Sequence, residues 1–334
     1  MRPNFSVISD PAEKIMGGIE NHANILIRLL SNHGYDVTPI DYHKLFSKKT
    51  EDFDVVIIEG IHRLELLKII PLRKKNTKIL FTHGSFFLNS SERKELRKYD
   101  STKHRTLKFL FDKIFMKFIL NKFDKIITLS EGESRDIATL FALNPDKLSE
   151  LEVFYDEFNE QFSFENDLLK HRFSEYLCYV GRLDYRKNLL SLLEASRSLD
   201  IPLLIAGQDQ GVLSKLQEYC KINGFNKFLY LGRVSREEKM VLMKNSSLIV
   251  IPSFFEGFPL TAAEGLKLGK RVVMTCNSYM GDHPCIHTTQ PDTESLVIAI
   301  RESLASKGCK AEFISNEEIF CKFLETVDKI LNEE

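Results

Sequence analysis

The feature that most constrains this fold is a repeated alternation of short β-branched runs with longer segments of helical periodicity. The runs form two series: FSVIS (5–9), DVTPI (36–40), DVVIIEG (54–60), KILFTHG (78–84) and KIITLS (125–130), then YLCYVG (176–181), PLLIAG (202–207), FLYLG (228–232), SLIVIP (247–252) and RVVMT (271–275). Such a rhythm of strand, helix and strand predicts parallel sheets covered by helices on both faces. We therefore predict an α/β protein with two doubly wound, Rossmann-like domains.

The rhythm breaks in an acidic, aromatic stretch at 154–169, which indicates a domain boundary. We predict an N-terminal domain over 1–165 and a C-terminal domain over 166–314. Segment 316–331 carries apolar residues at helical spacing, so it predicts an amphipathic helix. We expect the segment 315–334 to pack back on the N-terminal domain.

Composition and charge exclude several classes of protein. With 43% apolar residues, 28% charged residues and a net charge of −1, the 334-residue chain lacks the global positive field of a nucleic-acid-binding protein. Its first residues, MRPNFSVISDP, have none of the regions of a signal peptide, so we expect a cytoplasmic protein. The cysteines have no CxxC spacing, and no zinc site is predicted.

Two glutamates stand in PSFFEGFPLTAAEGLKLG, directly after the apolar run SLIVI. Pro259 suits the first position of a helix, which places Glu256 in the preceding loop and Glu264 about one turn inside. The backbone N–H groups at this helix start would bind a phosphate: those of Phe258, Leu260 and Thr261. The two oxygens of Glu264 suit neighbouring hydroxyls such as those of a ribose. The alternative is that both glutamates only favour the helix dipole, by about 0.3–1 kcal/mol.

Cations follow another predicted strand, in YVGRLDYRKN. Arg182 comes directly after the glycine that ends the strand, and Lys187 opens the next helix. Two cations at the carboxyl edge of a parallel sheet suit a diphosphate. Arg186 could take the place of either cation. The alternative interpretation is that these cations are solvated surface residues and form no site.

A glycine pair, Gly17 and Gly18, lies between the first predicted strand and its helix. Glycine lets a ligand approach the backbone closely. The pair is not part of a GxGxxG sequence, and this weighs against a dinucleotide-dependent dehydrogenase.

These segments together resemble glycosyltransferase family four (glycosyl transferases group 1), the retaining enzymes of GT-B fold that use nucleotide-sugar donors. PSFFEGFPLTAAEGLKLGKRVV resembles the family's E-x7-E segment, GRLDYRKN its GR…K-N segment and MGGIENHANILIRLLSNHGYDVT its opening GG-x-E segment. Four further segments fall in the family's order and spacing: FTHGSF, FDKIITLSEGESRDI, LIAGQDQ and LGRVSREEKMVLMKNSSLIVIPS. The resemblance implies two Rossmann-like domains that face an inter-domain cleft.

The resemblance also implies a role for each matching residue. Arg182 and Lys187 would clamp the diphosphate, Glu264 would bind the ribose and Glu256 would lie against the donor sugar. Backbone donors would come from Gly257, Phe258, Leu260 and Thr261. Gly17 and Gly18 would lie beneath the diphosphate, and His83 would touch the sugar near its reacting face.

The function implied is a retaining, metal-independent hexosyltransferase, without a cofactor, that moves a hexose from a UDP- or GDP-sugar to a glycan or glycolipid. The sequence Asp52-Phe53-Asp54 falls at the start of a predicted strand, so we reject it as a metal motif. Two alternatives stay open: a nucleotide-sugar epimerase of GT-B fold, and a catalytically silent GT-B subunit that binds nucleotide or a partner. The silent subunit stays open as an alternative because the loop CNSYMGDHPCIH (276–287) departs from the family pattern.

Segment 90–125 is locally basic, with eleven Lys or Arg residues against five Asp or Glu residues. Phe, Leu and Ile alternate with Lys over 107–123. One interpretation is peripheral contact with anionic lipid at the inner face of the cell membrane. The other is a helix that buries its apolar face in its own domain: Leu107, Leu110, Phe111, Ile114 and Phe118.

Overall fold

The structure is a computed structural model that describes residues 2–9, 18–41, 53–60, 76–82, 114–155, 173–254, 256, 258–275, 283–306 and 315–332. Contacts between residues divide the chain into two compact units. The first unit contains one parallel sheet and the last helix, and the second unit contains the other sheet. The helices of the two units are α1 (Gly18–Asn32), α2 (Glu131–Phe141), α3 (Leu189–Leu199), α4 (Leu213–Asn223), α5 (Arg236–Asn245), α6 (Leu260–Lys267), α7 (Thr293–Ala305) and α8 (Asn316–Asn332), and residues 114–120 are also helical.

The sheet of the first unit has the strand order β2-β1-β3-β4-β5-β6, with all pairs parallel. Its strands are β1 (Phe5–Ser9), β2 (Val37–Asp41), β3 (Val55–Glu59), β4 (Thr77–Phe81), β5 (Lys125–Thr128) and β6 (Leu148–Glu150). The chain goes from β1 to one edge and then returns to the other side of β1. This sheet is therefore doubly wound.

The sheet of the second unit has the order β12-β11-β10-β7-β8-β9, again all parallel. Its strands are β7 (Leu177–Val180), β8 (Leu203–Ala206), β9 (Phe228–Tyr230), β10 (Leu248–Ile251), β11 (Val272–Thr275) and β12 (Ile286–Thr289). Here the chain goes from β7 to the β9 edge and returns to the other side of β7 at β10. The predicted architecture of two doubly wound parallel sheets is confirmed.

Alternating side chains of the strands build a core on each face of each sheet. In β3, Val55 and Ile57 pack in a cluster with α1 and α8, whereas Val56 and Ile58 pack with residues of 114–120 and α2 on the other face. This division follows from the two-residue period of a strand. Burial of one such side chain contributes about 1.5–3 kcal/mol.

Helix α8 packs against the first unit through its apolar face. Ile319, Phe320, Phe323 and Val327 belong to the same cluster as Phe5 of β1. The Asn316 side chain joins this helix to the backbone of Tyr155: the Tyr155 N–H donates to Oδ1 at 3.1 Å, and Nδ2 donates to the Tyr155 carbonyl at 2.7 Å. The terminal helix predicted over 316–331 is confirmed.

The basic segment 90–125 is described from residue 114 onwards, and residues 114–120 are helical. Its buried face consists of Met116, Ile119, Leu120 and Phe123. Ile114 and Phe118, which the core interpretation buries, are 70% and 51% exposed. For these two residues the core interpretation is wrong, because the helix turns its other face toward the sheet.

Candidate active site

The candidate site lies where the second sheet changes its direction of winding. Strands β7 and β10 are neighbours, but the chain leaves β7 toward one edge of the sheet and leaves β10 toward the other. In doubly wound sheets, ligands bind at the carboxyl ends of such a strand pair. The loop that follows β7 carries the cationic residues of the predicted site, and the loop that follows β10 carries its acidic residue Glu256.

The loop after β7 is folded by its own polar side chains. Asp184 caps a short 3-10 turn, Tyr185–Lys187, and accepts a hydrogen bond from the Arg186 N–H at 2.9 Å. Asn188 ends the turn in a left-handed conformation, with φ of 50°. Asparagine tolerates this conformation better than most residues.

The two loops are also hydrogen-bonded to each other. The Asn188 Nδ2 group donates to the carbonyl of Pro252 at 3.1 Å and to that of Pro291 at 2.8 Å. The Phe254 N–H donates to the carbonyl of Arg186 at 2.9 Å. These bonds hold the cationic turn against the loop that carries Glu256.

Glu256 is the centre of a charged cluster that brings both loops together. The Lys187 ammonium donates to Oε1 of Glu256, the Ser253 hydroxyl donates to the same oxygen at 2.5 Å, and Arg186 Nη1 lies 3.6 Å from Oε2. The side chains of Lys187 and Glu256 are only 13% and 10% exposed. Thr275 fixes Ser253 in turn, because its hydroxyl donates to the Ser253 carbonyl at 2.5 Å.

The cluster shifts the pKa values of both partners in the ion pair. Burial lowers the pKa of Lys187 from its usual value, and the Glu256 carboxylate opposes that shift only in part. Burial also disfavours ionised Glu256, but the charges of Lys187 and Arg186 outweigh burial and hold the pKa of Glu256 below its usual value. Glu256 is therefore a carboxylate at neutral pH, and Lys187 loses its proton at a lower pH than an exposed lysine.

Helix α6 follows the loop of Glu256 and brings its amino end to the same edge. It begins at Leu260, with Pro259 as the capping residue, so the prediction of Pro259 as the first helical residue is wrong by one position. The Thr261 hydroxyl donates to the carbonyl of Val180 at 3.2 Å and thereby links α6 to the end of β7. The first amides of a helix have no intrahelical acceptor and are suited to an anion.

Glu264, one turn inside α6, is buried, with 4% of its side chain exposed. The ammonium of Lys239, in α5, lies 2.5 Å from its Oε1 atom. Lys239 is a residue that sequence reasoning missed. Lys239 stands 25 positions before Glu264, in another helix, and nothing in the local sequence predicts their contact.

The other predicted site residues are distributed as follows. Arg182 is exposed, and no ion pair involves its side chain in the described part of the chain. Phe258 precedes α6 and Leu260 begins it, and both are half-buried; Gly18 is the first residue of α1. Gly17, His83 and Gly257 lie outside the described residues.

Potential metal ligands do not converge in the part of the chain that the structure describes, since no group of three or more His, Cys, Asp or Glu residues could hold an ion there. Asp54 directly precedes β3 and accepts a hydrogen bond from the Asn4 N–H at 3.0 Å. It therefore lies at the amino end of a strand, away from the carboxyl edge where ligands bind.

Comparison with known proteins gives both a fold and a family likeness. The crystal structure of the Anabaena protein HepE in complex with UDP and glucose matches 91% of this chain and 90% of that protein, with a TM-score of 0.69 and 14% identity. The fold is accordingly GT-B, with two Rossmann-like domains. Residues 161–316, just under half of the chain, match the family model described as glycosyl transferases group 1.

Relatives extend this likeness over similar lengths. An uncharacterized glycosyltransferase of Methanocaldococcus jannaschii is 26% identical over 167 residues, which cover 45% of this chain and 42% of that protein. The N-acetylgalactosamine-N,N'-diacetylbacillosaminyl-diphospho-undecaprenol 4-alpha-N-acetylgalactosaminyltransferase of Campylobacter jejuni is 30% identical over 174 residues, which cover 50% of this chain and 45% of that enzyme. The chain thus spans less than half the length of these relatives. The second half of the chain is therefore similar to glycosyltransferases.

Proposed function

We propose that this protein is a retaining, metal-independent hexosyltransferase that uses a UDP- or GDP-sugar. The observation that carries the proposal is the buried cluster of Lys187, Arg186 and Glu256 beside the amino end of α6, where β7 and β10 end. Positive groups at this edge suit a diphosphate, and a fixed carboxylate beside them suits sugar hydroxyls.

The cations would stabilise the leaving group. Transfer breaks the bond between the anomeric carbon and the phosphate oxygen, and negative charge develops on the diphosphate. An ammonium has three donors, of which the contact with Glu256 uses one, so Lys187 can bind phosphate and carboxylate together. Arg182, Arg186 and the first amides of α6 would add further stabilisation.

Retention of configuration would follow from attack on the face of the sugar that the diphosphate leaves. The acceptor oxygen bonds to the anomeric carbon, and its proton passes to a phosphate oxygen of the departing diphosphate. Glu256, ionised and held by Lys187 and Ser253, would orient the donor sugar in this scheme. With several cationic groups at the diphosphate, the reaction would need no metal ion.

The acceptor that we propose is a glycan or glycolipid. The Campylobacter relative is named for a substrate linked to diphospho-undecaprenol. That name, together with the family match over 161–316, supports an acceptor of this class and a hexose or N-acetylhexosamine donor.

Calorimetry with UDP- and GDP-sugars in the presence of EDTA tests this proposal. We expect one donor to bind wild type and to bind Arg182→Ala and Lys187→Ala at least tenfold more weakly, about 1.4 kcal/mol. Arg197→Ala is the matched control, because Arg197 lies in the last turn of α3, at the opposite edge of the sheet. Slow release of the sugar from the bound donor would identify a transferase.

The same experiment separates the alternatives. Conversion of the donor sugar into its epimer would identify an epimerase, and donor binding without turnover on any acceptor would identify a silent subunit. Equal binding by wild type and both cation variants would refute the diphosphate site.

We also propose that residues 114–125 contact anionic lipid. Ile114 and Phe118 are exposed together with Lys117, and Lys122 Nζ lies 4.8 Å from the centre of the Phe118 ring. An apolar pair surrounded by lysines is complementary to an anionic membrane surface. Within the described residues, no helix is long and apolar enough to cross a membrane.

Vesicle flotation tests this contact. Wild type should float with vesicles of phosphatidylglycerol and phosphatidylcholine, and Phe118→Ser and Lys117→Glu should float less. Ile298→Ser, at an apolar residue of α7 that is 56% exposed, is the control and should behave as wild type. Flotation of wild type that does not depend on anionic lipid would contradict the proposal.

A further inference from the structure

Glu264 and Lys239 form a second ion pair, in addition to the cluster at Glu256. Lys239 Nζ lies 2.5 Å from Glu264 Oε1, and the two side chains are 22% and 4% exposed. A carboxylate this deeply buried is unfavourable unless it is paired with a cation or receives hydrogen bonds. Lys239 therefore supplies charge compensation to Glu264.

Rigid elements hold Lys239. Helix α5 begins with a capping box, in which the Glu238 N–H donates to Ser235 Oγ at 3.1 Å and the Ser235 N–H donates to Glu238 Oε2 at 2.7 Å. Lys239 follows in the first turn, and its own N–H donates to the Ser235 carbonyl at 2.9 Å. The start of the lysine side chain is thus fixed by the cap.

Close packing holds Glu264 from the other side. The next residue, Gly265, lies so near β10 that a Cβ atom there would be 2.4 Å from Ile249 Cδ1. Helix α6 thus packs closely on β10 at the position next to Glu264. The capping box on one side and this packing on the other place the ammonium and the carboxylate in contact.

We propose that Lys239 is a positioning residue that orients Glu264 for the two hydroxyls of the donor ribose. A carboxylate has about four acceptor sites, so it can accept from the ammonium at Oε1 and from ribose hydroxyls at the same time. The lysine compensates the negative charge of the carboxylate and fixes the orientation of the carboxylate group. This inference rests on the proposed function and adds a residue that determines how strongly the site selects a ribose.

The test compares UDP and GDP with their 2′-deoxy forms by calorimetry. Wild type should bind the ribonucleotide at least tenfold more tightly than its 2′-deoxy form. Lys239→Met should reduce this ratio to less than threefold, while Lys239→Arg, which keeps the positive charge, should retain most of it. Lys244→Met is the matched control, because Lys244 is an exposed lysine of the same helix, and its ratio should equal that of wild type.

The outcomes separate this inference from the function on which it rests. Binding of neither nucleotide to wild type would overturn both. Binding with a ribose preference that Lys239→Met leaves unchanged, or without any ribose preference in wild type, would overturn the role of Lys239 and leave the diphosphate site standing. Circular dichroism of each variant checks folding, and Lys239→Gln, closer to lysine in polarity, serves if the Met variant does not fold.

Discussion

Lys187 and Glu256 are in direct contact although 69 positions separate them in the chain. The contact joins the loop after β7 to the loop after β10, and both side chains are almost completely buried. A buried ion pair is costly to break from one side, because the remaining charge loses its partner but stays out of water.

Glu256→Ala should lower the free energy of unfolding by about 3–5 kcal/mol, since Lys187 and Arg186 would lose their common counter-charge. Urea denaturation measures this change. The matched control is Asp200→Asn, which removes the charge of an exposed partner of Lys227 at 2.7 Å, tolerates the left-handed conformation of this position and should cost no more than about 1 kcal/mol. Equal effects of the two substitutions would contradict a structural role for the Glu256 pair.

Binding of a nucleoside diphosphate should weaken as the pH rises through the lowered pKa of Lys187. Above that pKa, the free protein must take up a proton to present a cation to the diphosphate, so the affinity falls with pH. The decline should start below 10.5, the ordinary pKa of lysine. Calorimetry of UDP or GDP binding across alkaline pH measures it.

Lys187→Arg provides the control for this pH dependence, because arginine keeps its proton over the whole range. Its affinity should stay constant where that of wild type falls. The same alkaline decline in both proteins would show that another group is responsible.

Gly207→Ala should destabilise the second unit. A Cβ at this position would lie 1.8 Å from the carbonyl oxygen of Gly181, and the φ of 142° is unfavourable for other residues. Overpacking of this kind costs about 1–3 kcal/mol, and we expect the upper part of that range because a backbone atom is in the way. Thermal and urea unfolding would measure the loss.

Gly224→Ala is the comparison for Gly207. Its φ of 61° is also positive, but a Cβ there meets nothing within 4 Å. The left-handed conformation alone costs about 1–2 kcal/mol. If both glycine variants lose the same free energy of unfolding, the close approach of position 207 to the Gly181 carbonyl adds nothing to the cost of the substitution.

Asn316→Ala should detach α8 from the end of the first unit. The substitution removes two hydrogen bonds to the backbone of buried Tyr155, each with a net contribution of about 0.5–1.5 kcal/mol. Hydrogen exchange should increase in α8 before it increases in the second unit. Asn121→Ala removes an exposed side-chain bond to the Lys117 carbonyl and should have little effect; unchanged exchange in α8 for Asn316→Ala would refute the prediction.

Most strands could be predicted because they are buried on both faces. VVIIE in β3 and LIVI in β10 are continuous apolar runs, as expected for central strands of parallel sheets. β6 and β12 were missed, because LSE and IHTT are short edge strands that are only partly buried. Edge strands pair on one side and need no apolar run.

The candidate site could be predicted only in part. Glu256 and Lys187 stand in loops that follow buried strands, and Glu264 lies in the helix that follows one of these loops, so their positions predict a ligand site at this edge of the sheet. The sequence predicted Arg182 and Lys187 as the diphosphate cations, with Arg186 as an alternative, and paired none of them with Glu256; the structure brings Lys187 and Arg186 to Glu256 and leaves Arg182 exposed. The partner of each carboxylate depends on loop conformations, and local sequence propensity does not predict these conformations.

The amino-acid sequence alone determined the two doubly wound sheets, since hydrophobic periodicity and the need to bury both faces leave few other arrangements. It also determined which loops carry charge. Only the tertiary structure decided that Lys239 reaches Glu264, and that Asn316 binds the backbone of Tyr155, 161 positions earlier. Such contacts arise from the packing of distant elements, and packing acts through space rather than along the chain.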